Sequence, residues 1–215
     1  KMKIAIIDDR GGYLHSALKS FQVVASDFKN VSVKITSCYK EVLDADRLVL
    51  PGVGSFSFCK SKLLENTDVY EALNERVIEK KKPFLGICVG MQLLATKGHE
   101  GQQNNSGLNW VSGEVKKIEV EKNFKIPHMG WNSLNFNRFH PLFKDIHVND
   151  HFYFVHSYEF YVHSKEEVIA TTNHGKNIVS CIAKNNILGL QFHPEKSQVP
   201  GLKIIRNFID WDPEI

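Results

Sequence analysis

At 215 residues, with 42% apolar and 24% charged side chains, the chain has the make-up of an ordinary globular protein and the length for one large domain or two small ones. Its 27 basic and 24 acidic side chains leave a net charge of +3 with no long basic run, which argues against a nucleic-acid partner; the densest cluster, Glu79 to Pro83, reads as a solvated helix end. No stretch reaches the roughly 20 apolar residues that span a bilayer, the opening KMKIAIIDDR lacks a secretory h-region with its cleavage site, and the four cysteines form no C-x-x-C pair. The expectation is a cytoplasmic protein with free thiols, no membrane partner and no metal.

In chain order, KIAIID (Lys3 to Asp8) is an isoleucine-rich run ending in acid and glycine, read as a buried strand that meets a functional loop. YLHSALKSF follows with helical spacing, placing Leu14, Leu18 and Phe21 on one face. VSVKITS (Val31 to Ser37) alternates as a strand, and ADRLVLPGVGSF (Ala45 to Phe56) gives another buried strand, broken by Pro51 and two glycines. Residues 61 to 82 read as helix, then PFLGIC (Pro83 to Cys88) as strand. Strand alternating with helix implies right-handed crossovers and a mainly parallel sheet.

The second half changes character. GEVKKIEVE, HFYFVHSYEFYV, EVIATTNHG, IVSCIAKNN and ILGLQFHPE are short β-branched or aromatic runs separated by Asn, Gly and Lys, expected as antiparallel strands and hairpins added to the parallel core. GLKIIRNFIDW has helical spacing through Leu202, Ile205 and Ile209. EGQQNNSG (Glu100 to Gly107) reads as a mobile surface loop. With no repeat and no linker, the economical reading is one domain over 1–215. The fold class expected is α/β: an open, mainly parallel sheet flanked by helices, with added antiparallel strands.

Gly86-Ile87-Cys88-Val89-Gly90 has the G-x-C-x-G layout of a nucleophile elbow, or else is a buried cysteine in a glycine-containing strand. In an elbow, small residues let a strand-to-helix turn pack closely while the sulfur faces a helix N-terminus that favours thiolate. The Val89 N–H then serves as one oxyanion donor. QFHPEKS (Gln191 to Ser197) sets His193 and Glu195 two apart, and in an extended segment both project to one side, so the carboxylate can orient the imidazole. LPGVGSF (Leu50 to Phe56) offers a glycine-rich turn suited to a second oxyanion donor.

Together, PFLGICVGMQLL, LPGVGSF, KIPHMGWN, FYFVHSY and QFHPEKSQ…GLKIIRNF resemble the class I (triad) glutamine amidotransferases from about residue 3 to 209, and within them the glutaminase subunits of imidazole glycerol phosphate synthases. The resemblance implies Cys88 as nucleophile on glutamine, His193 as general base and acid, Glu195 as its orienter, and an oxyanion hole from Val89 and the Gly52–Val53 segment. Gln92, Ser157 and Tyr158 match positions that grip the substrate. Tyr13, Trp131, Tyr153 and Lys196 match the face toward a (β/α)8 cyclase barrel, the heterodimer partner that takes the ammonia to make imidazole glycerol phosphate and AICAR in histidine biosynthesis. No cofactor is implied. Low basal activity is expected, with partner binding aligning the donors at Gly52–Val53.

Trp131 and Tyr153 read equally well as core or hairpin aromatics. His128 and His156 read as hydrogen-bonded structural residues, and Cys38, Cys59 and Cys181 as buried filler. The family opens with a D-Y-G-x-G-N turn; DDRGGYLHS keeps Asp8 and Gly12 but places Asp9, Arg10 and Tyr13 where tyrosine, glycine and asparagine are usual. That turn faces the partner, so a paralogous glutaminase feeding a sugar amidotransferase for surface-glycan modification stays open. A redox-sensing elbow protein and a cysteine peptidase are disfavoured by the HPE segment and by Gln92, Ser157 and Tyr158.

Overall fold

The computed structural model describes residues 1–8, 14–101 and 105–214. The first half alternates as its apolar runs dictate: β1 (Met2–Ile7), α1 (Leu14–Ala25), β2 (Val31–Thr36), α2 (Tyr39–Leu43), β3 (Arg47–Gly52), α3 (Phe56–Glu65), α4 (Thr67–Asn74), β4 (Phe84–Cys88) and α5 (Val89–Gln92). β2, β1, β3 and β4 lie side by side and parallel. β3 and β4 are buried at every position, as expected of strands covered on both faces. α1 buries Leu14, Ala17, Phe21, Val24 and Ala25 along one stripe, with Leu18 half-buried at its margin.

Two expectations change here. Pro51 does not break its strand: β3 continues through it, with Pro51 opposite Ile87 and Gly52 opposite Cys88. β1 pairs with β3 only as far as Val49, so the N–H that proline lacks falls where β3 has a neighbour on one side alone. The single helix read over 61 to 82 is instead α3, α4 and a π-turn at Glu75–Glu79. Asn66 makes the break, because its side chain accepts from the Val69 N–H at 3.3 Å as an N-cap and donates to the Ser37 carbonyl at 3.0 Å.

The second half supplies β5 (Lys97–Gly98), β6 (Asn105–Ser106), β7 (Gly113–Lys117), β8 (His128–Ser133), β9 (Asn135–Phe136), β10 (His151–His156), β11 (Tyr158–Val162), β12 (Val168–Asn173), β13 (Asn177–Lys184), β14 (Ile187–Leu190) and α6 (Gln198–Asp210). The tract read as a surface loop thus contributes a short strand, β6, antiparallel to β5; residues 102–104 lie outside the described residues. The main sheet has the order β2-β1-β3-β4-β14-β13-β12-β9. β14, expected among the antiparallel additions, lies parallel to β4 and antiparallel to β13, so the parallel region ends on it. β8 and β10 form a separate antiparallel pair, while β11 joins β7, β5 and β6. The aromatic run 151–162 therefore divides at Ser157 between two sheets.

α6 buries Gly201, Ile204, Ile205, Phe208 and Ile209 and packs beside α1, with Leu202 half-buried. Arg47 at the start of β3 is buried and fastens the end of this helix, its Nε donating to the Phe208 carbonyl at 3.3 Å and its Nη2 to the Trp211 carbonyl.

Candidate active site

Parallel strands end their carboxyl termini along one sheet edge, where ligands of open α/β sheets bind. Here three neighbours do so together. Gly52 at the end of β3 is opposite Cys88 at the end of β4, and Leu190 at the end of β14 is opposite Ile87. Gln191 and His193, which follow β14, thereby reach the edge carrying Cys88, although about a hundred residues separate them along the chain.

Cys88 has φ 56° and ψ −113° and caps the N-terminus of α5. Such a conformation costs a non-glycine residue about 1–3 kcal/mol, and persists only where its surroundings enforce it. The flanking glycines do so. A Cβ on Gly86 would lie 2.6 Å from the Gly90 carbonyl oxygen, one on Gly90 only 1.8 Å from the Leu50 oxygen, and one on Gly52 2.8 Å from the Gly90 nitrogen. Backbone thus touches backbone from β3 through the elbow.

The His193 imidazole is held from both sides. Its Nδ1–H donates to Glu195 Oε1 at 2.7 Å, leaving Nε2 for the cavity. The geometry expected for this pair needs correction: Glu195 reaches His193 through the 3-10 turn Pro194–Lys196, not along an extended segment. Ser197 Oγ clamps the backbone beneath, donating to the His193 carbonyl at 2.5 Å and accepting from the Tyr153 N–H at 3.0 Å. Burial alone would depress the imidazole pKa; interaction with the Cys88 sulfur, and then with the Glu195 carboxylate, overrides it and lifts His193 to about 10.

Cys88 and His193 open into one cavity of about 380 Å³, which Val53, Val89, Gln92 and the Ser157–Tyr158 junction also line, with Lys196 exposed at its rim. Gly52 is buried and is not among the lining residues. Val53 is 43% exposed, against 5% for Cys88. Gln92, expected to grip the substrate, does line the cavity, with its Nε2 donating to Gln191 Oε1 at 3.0 Å and to the Tyr158 carbonyl at 3.2 Å, which leaves Oε1 as its polar atom for a ligand. Trp131 and Tyr153 face each other across β8 and β10, rings 5.8 Å apart, outside the cavity lining. Tyr13 lies outside the described residues.

Two residues were not singled out from the sequence. Glu100 is the one acidic lining residue among those described, its Oε2 accepting from the Phe56 N–H at 2.8 Å. Gln191, fully buried, donates from Nε2 to Cys88 Sγ at 3.7 Å; a glutamine inside an apolar run was its only signal. Cys181 is buried as expected, but two other cysteines depart from expectation. Cys38 is exposed, capping α2 without a side-chain bond, and Cys59 is more than filler, its thiol donating to the Val53 carbonyl at 3.2 Å beside the cavity.

Comparison with known proteins places the chain in a family. Residues 5–211 match the family Glutamine amidotransferase class-I. The imidazole glycerol phosphate synthase subunit HisH of Ruegeria pomeroyi is 47% identical over 213 residues, covering 99% of this chain and 100% of that protein. HisH of Pelagibacter ubique is 44% identical over 210 residues, covering 97% and 100%. Among solved structures, a glutamine amidotransferase has a TM-score of 0.72 at 16% identity, covering 96% of this chain and 97% of that one. The glutaminase domain of Trypanosoma brucei CTPS with bound acivicin has a TM-score of 0.66 at 16% identity, covering 97% and 92%. At such identities these structures speak for the fold alone, which is the open α/β sheet described above. A strained cysteine between glycines, an oriented imidazole at the same strand edge and a family match spanning nearly the whole length agree: the chain belongs to the class-I glutamine amidotransferases.

Proposed function

We propose that this chain is the cytoplasmic glutaminase subunit of an imidazole glycerol phosphate synthase, paired as a heterodimer with a (β/α)8 cyclase barrel. The observation that carries the chemistry is the His193 imidazole, seated between Glu195 and the Cys88 sulfur in one cavity. The pathway rests on relatives of that name, 47% and 44% identical along their whole length.

In the first step Cys88 Sγ bonds to the side-chain carboxamide carbon of glutamine. The C=O electrons move onto oxygen, which the N–H groups of Val89 and of the Gly52–Val53 segment stabilise. His193 gives its proton to the nitrogen as the C–N bond breaks, releasing ammonia and leaving a thioester. Water then attacks the thioester, His193 taking its proton, and the C–S bond breaks to give glutamate and restore Cys88. Every proton and electron pair comes from Cys88, His193, glutamine or water. Glu100 supplies the negative charge that a glutamine α-ammonium requires, and Gln92 Oε1 an acceptor.

A docking face is supported by β8, where Met129 (64% exposed) and Trp131 (49% exposed) project to one side. The strand paired with it, β10, carries Tyr153, whose carbonyl accepts from the His193 N–H at 3.0 Å. No described helix is long and apolar enough to cross a membrane. The sugar-modifying alternative rested on the turn at Asp9 to Tyr13, which lies outside the described residues. The test is glutamate release from glutamine by the chain with its cyclase barrel. Release that Cys88→Ala abolishes is expected; none from the wild-type complex would overturn the reading. Stimulation by a sugar-amidotransferase barrel alone would overturn the pathway.

A further inference from the structure

Two buried histidines take no part in the steps above, yet their hydrogen bonds form one chain with a fixed direction. Asn132 Oδ1 accepts from the Ser133 N–H at 2.9 Å, which sets the amide orientation. Its Nδ2 then donates to the Asn173 carbonyl at 2.8 Å and to His128 Nε2 at 3.1 Å. With Nε2 an acceptor, His128 carries its proton on Nδ1 and donates to His156 Nε2, 2.9 Å away. His156 must in turn donate from Nδ1 to the Tyr158 carbonyl, at 2.8 Å. The second lone pair of that carbonyl takes Gln92 Nε2, whose other hydrogen goes to Gln191 Oε1, and Gln191 Nε2 faces Cys88 Sγ. Each donor meets one acceptor without conflict.

We propose that Asn132, His128 and His156 are positioning residues: a chain of fixed polarity that holds the Tyr158 carbonyl, and with it the Ser157–Tyr158 wall and the Gln92–Gln191 amides behind the nucleophile, in place to bind glutamine. The chain starts on β8, one residue from Trp131, so the docking strand and the substrate wall share one hydrogen-bonded path. It works only while both imidazoles are neutral and in the Nδ1–H form. Burial, and then the neighbouring imidazoles, hold His128 down at about 3. Burial likewise holds His156 at about 4, against the upward pull of its bond to Tyr158. The titratable groups facing the pair are His174, whose ring stacks on His128 with centroids 4.3 Å apart, and His193.

The inference rests on the glutaminase reading for its kinetic arm only. Nitrogen-15 NMR of the full chain is expected to show His128 and His156 neutral and protonated on Nδ1 at pH 7; Nε2–H forms would overturn the proposal. In the complex with the cyclase barrel, Asn132→Asp turns the terminal donor into an acceptor. His128 can then keep donating to His156 only by holding a second proton on Nε2. The KM for glutamine should therefore stay near wild type at about pH 6 and rise on the order of tenfold toward pH 9, as that proton is lost. The wild-type KM should show no such rise. Asn132→Ala, which adds no charge, should raise KM equally at every pH. A KM for Asn132→Asp within about twofold of wild type and flat with pH would overturn the proposal, and if that variant does not fold, the NMR arm decides. Wild-type complex that releases no glutamate would sink the glutaminase reading instead, leaving the tautomers to judge the chain.

Discussion

Replacing Gly90 with alanine tests the elbow at its tightest point. The added methyl would sit 1.8 Å from the Leu50 carbonyl oxygen, where real Cβ atoms keep at least 3.0 Å. Both partners are backbone, so no rotamer change relieves the clash; α5 and β3 must part by more than 1 Å. Crowding of this kind in a packed core costs about 1–3 kcal/mol, which for a chain of this size lowers Tm by roughly 2–4 °C per kcal/mol. The catalytic loss should be larger than the stability loss. α5 begins at Val89 and β3 ends at Gly52, so the same separation moves apart the two sides expected to hold the oxyanion. A displacement near 1 Å costs on the order of 10²-fold in rate, similar to losing one oxyanion donor. Steady-state glutamate release with the cyclase barrel present, together with calorimetry, measures both. The expected outcome is a folded variant, a few degrees less stable, with kcat down about 10²-fold or more. A variant with kcat within about threefold of wild type and an unchanged Tm would show that the glycine is not required by contact with β3.

Glu100→Gln keeps an acceptor for the Phe56 N–H but removes the charge, so KM for glutamine should rise about tenfold with kcat little changed; an equal fall in kcat would contradict a pure binding role. Arg47→Met strips two buried carbonyls of their donor at the end of α6 and should cost about 2–3 kcal/mol, read as a lower urea midpoint at constant m-value. His128 and His156 have folded pKa values of about 3 and 4, below the ordinary 6.5, so the unfolded chain binds more protons at acid pH. Their contribution is complete above pH 6.5 and is lost as pH falls through 4 to 3, a loss of a few kcal/mol in chemical-denaturation experiments that His156→Gln should blunt. His193 acts oppositely: its contribution is complete below 6.5 and is lost as pH rises toward 10.

What could be read from the sequence was whatever local pattern determines. The strands at KIAIID and PFLGIC, the inward stripe of α1 and the glycines around Cys88 follow from spacing and small size, and the structure places them as expected. The positions that went astray depend on partners distant in sequence. ILGL reads as a hairpin strand because turn residues precede it, and nothing local says that β14 will lie parallel to β4. Pro51 reads as a strand breaker until the extent of β1 is known. Gln191 is invisible as a cysteine partner until β14 sets it opposite the elbow, and the orientation of Gln92 depends on Gln191 in turn. His128 and His156 were read correctly as hydrogen-bonded, but their direction comes only from Asn132, whose amide is fixed by its own backbone neighbour.

The supports of the site are unevenly distributed. The nucleophile, the base and the amides behind them are locked by backbone contact, by Ser197 and by the directed hydrogen-bond chain. On the oxyanion side, Val53 is 43% exposed, Gly54 is exposed with φ 102°, and the Val53 carbonyl accepts a weak bond from the Cys59 thiol. Weakly held segments are where a second protein can change geometry at small energetic cost, because few native contacts must be exchanged. For the glutaminase subunit proposed above, this division sets a rigid acid–base half beside a loosely held oxyanion half, and it is the second half whose geometry a docking partner is expected to set.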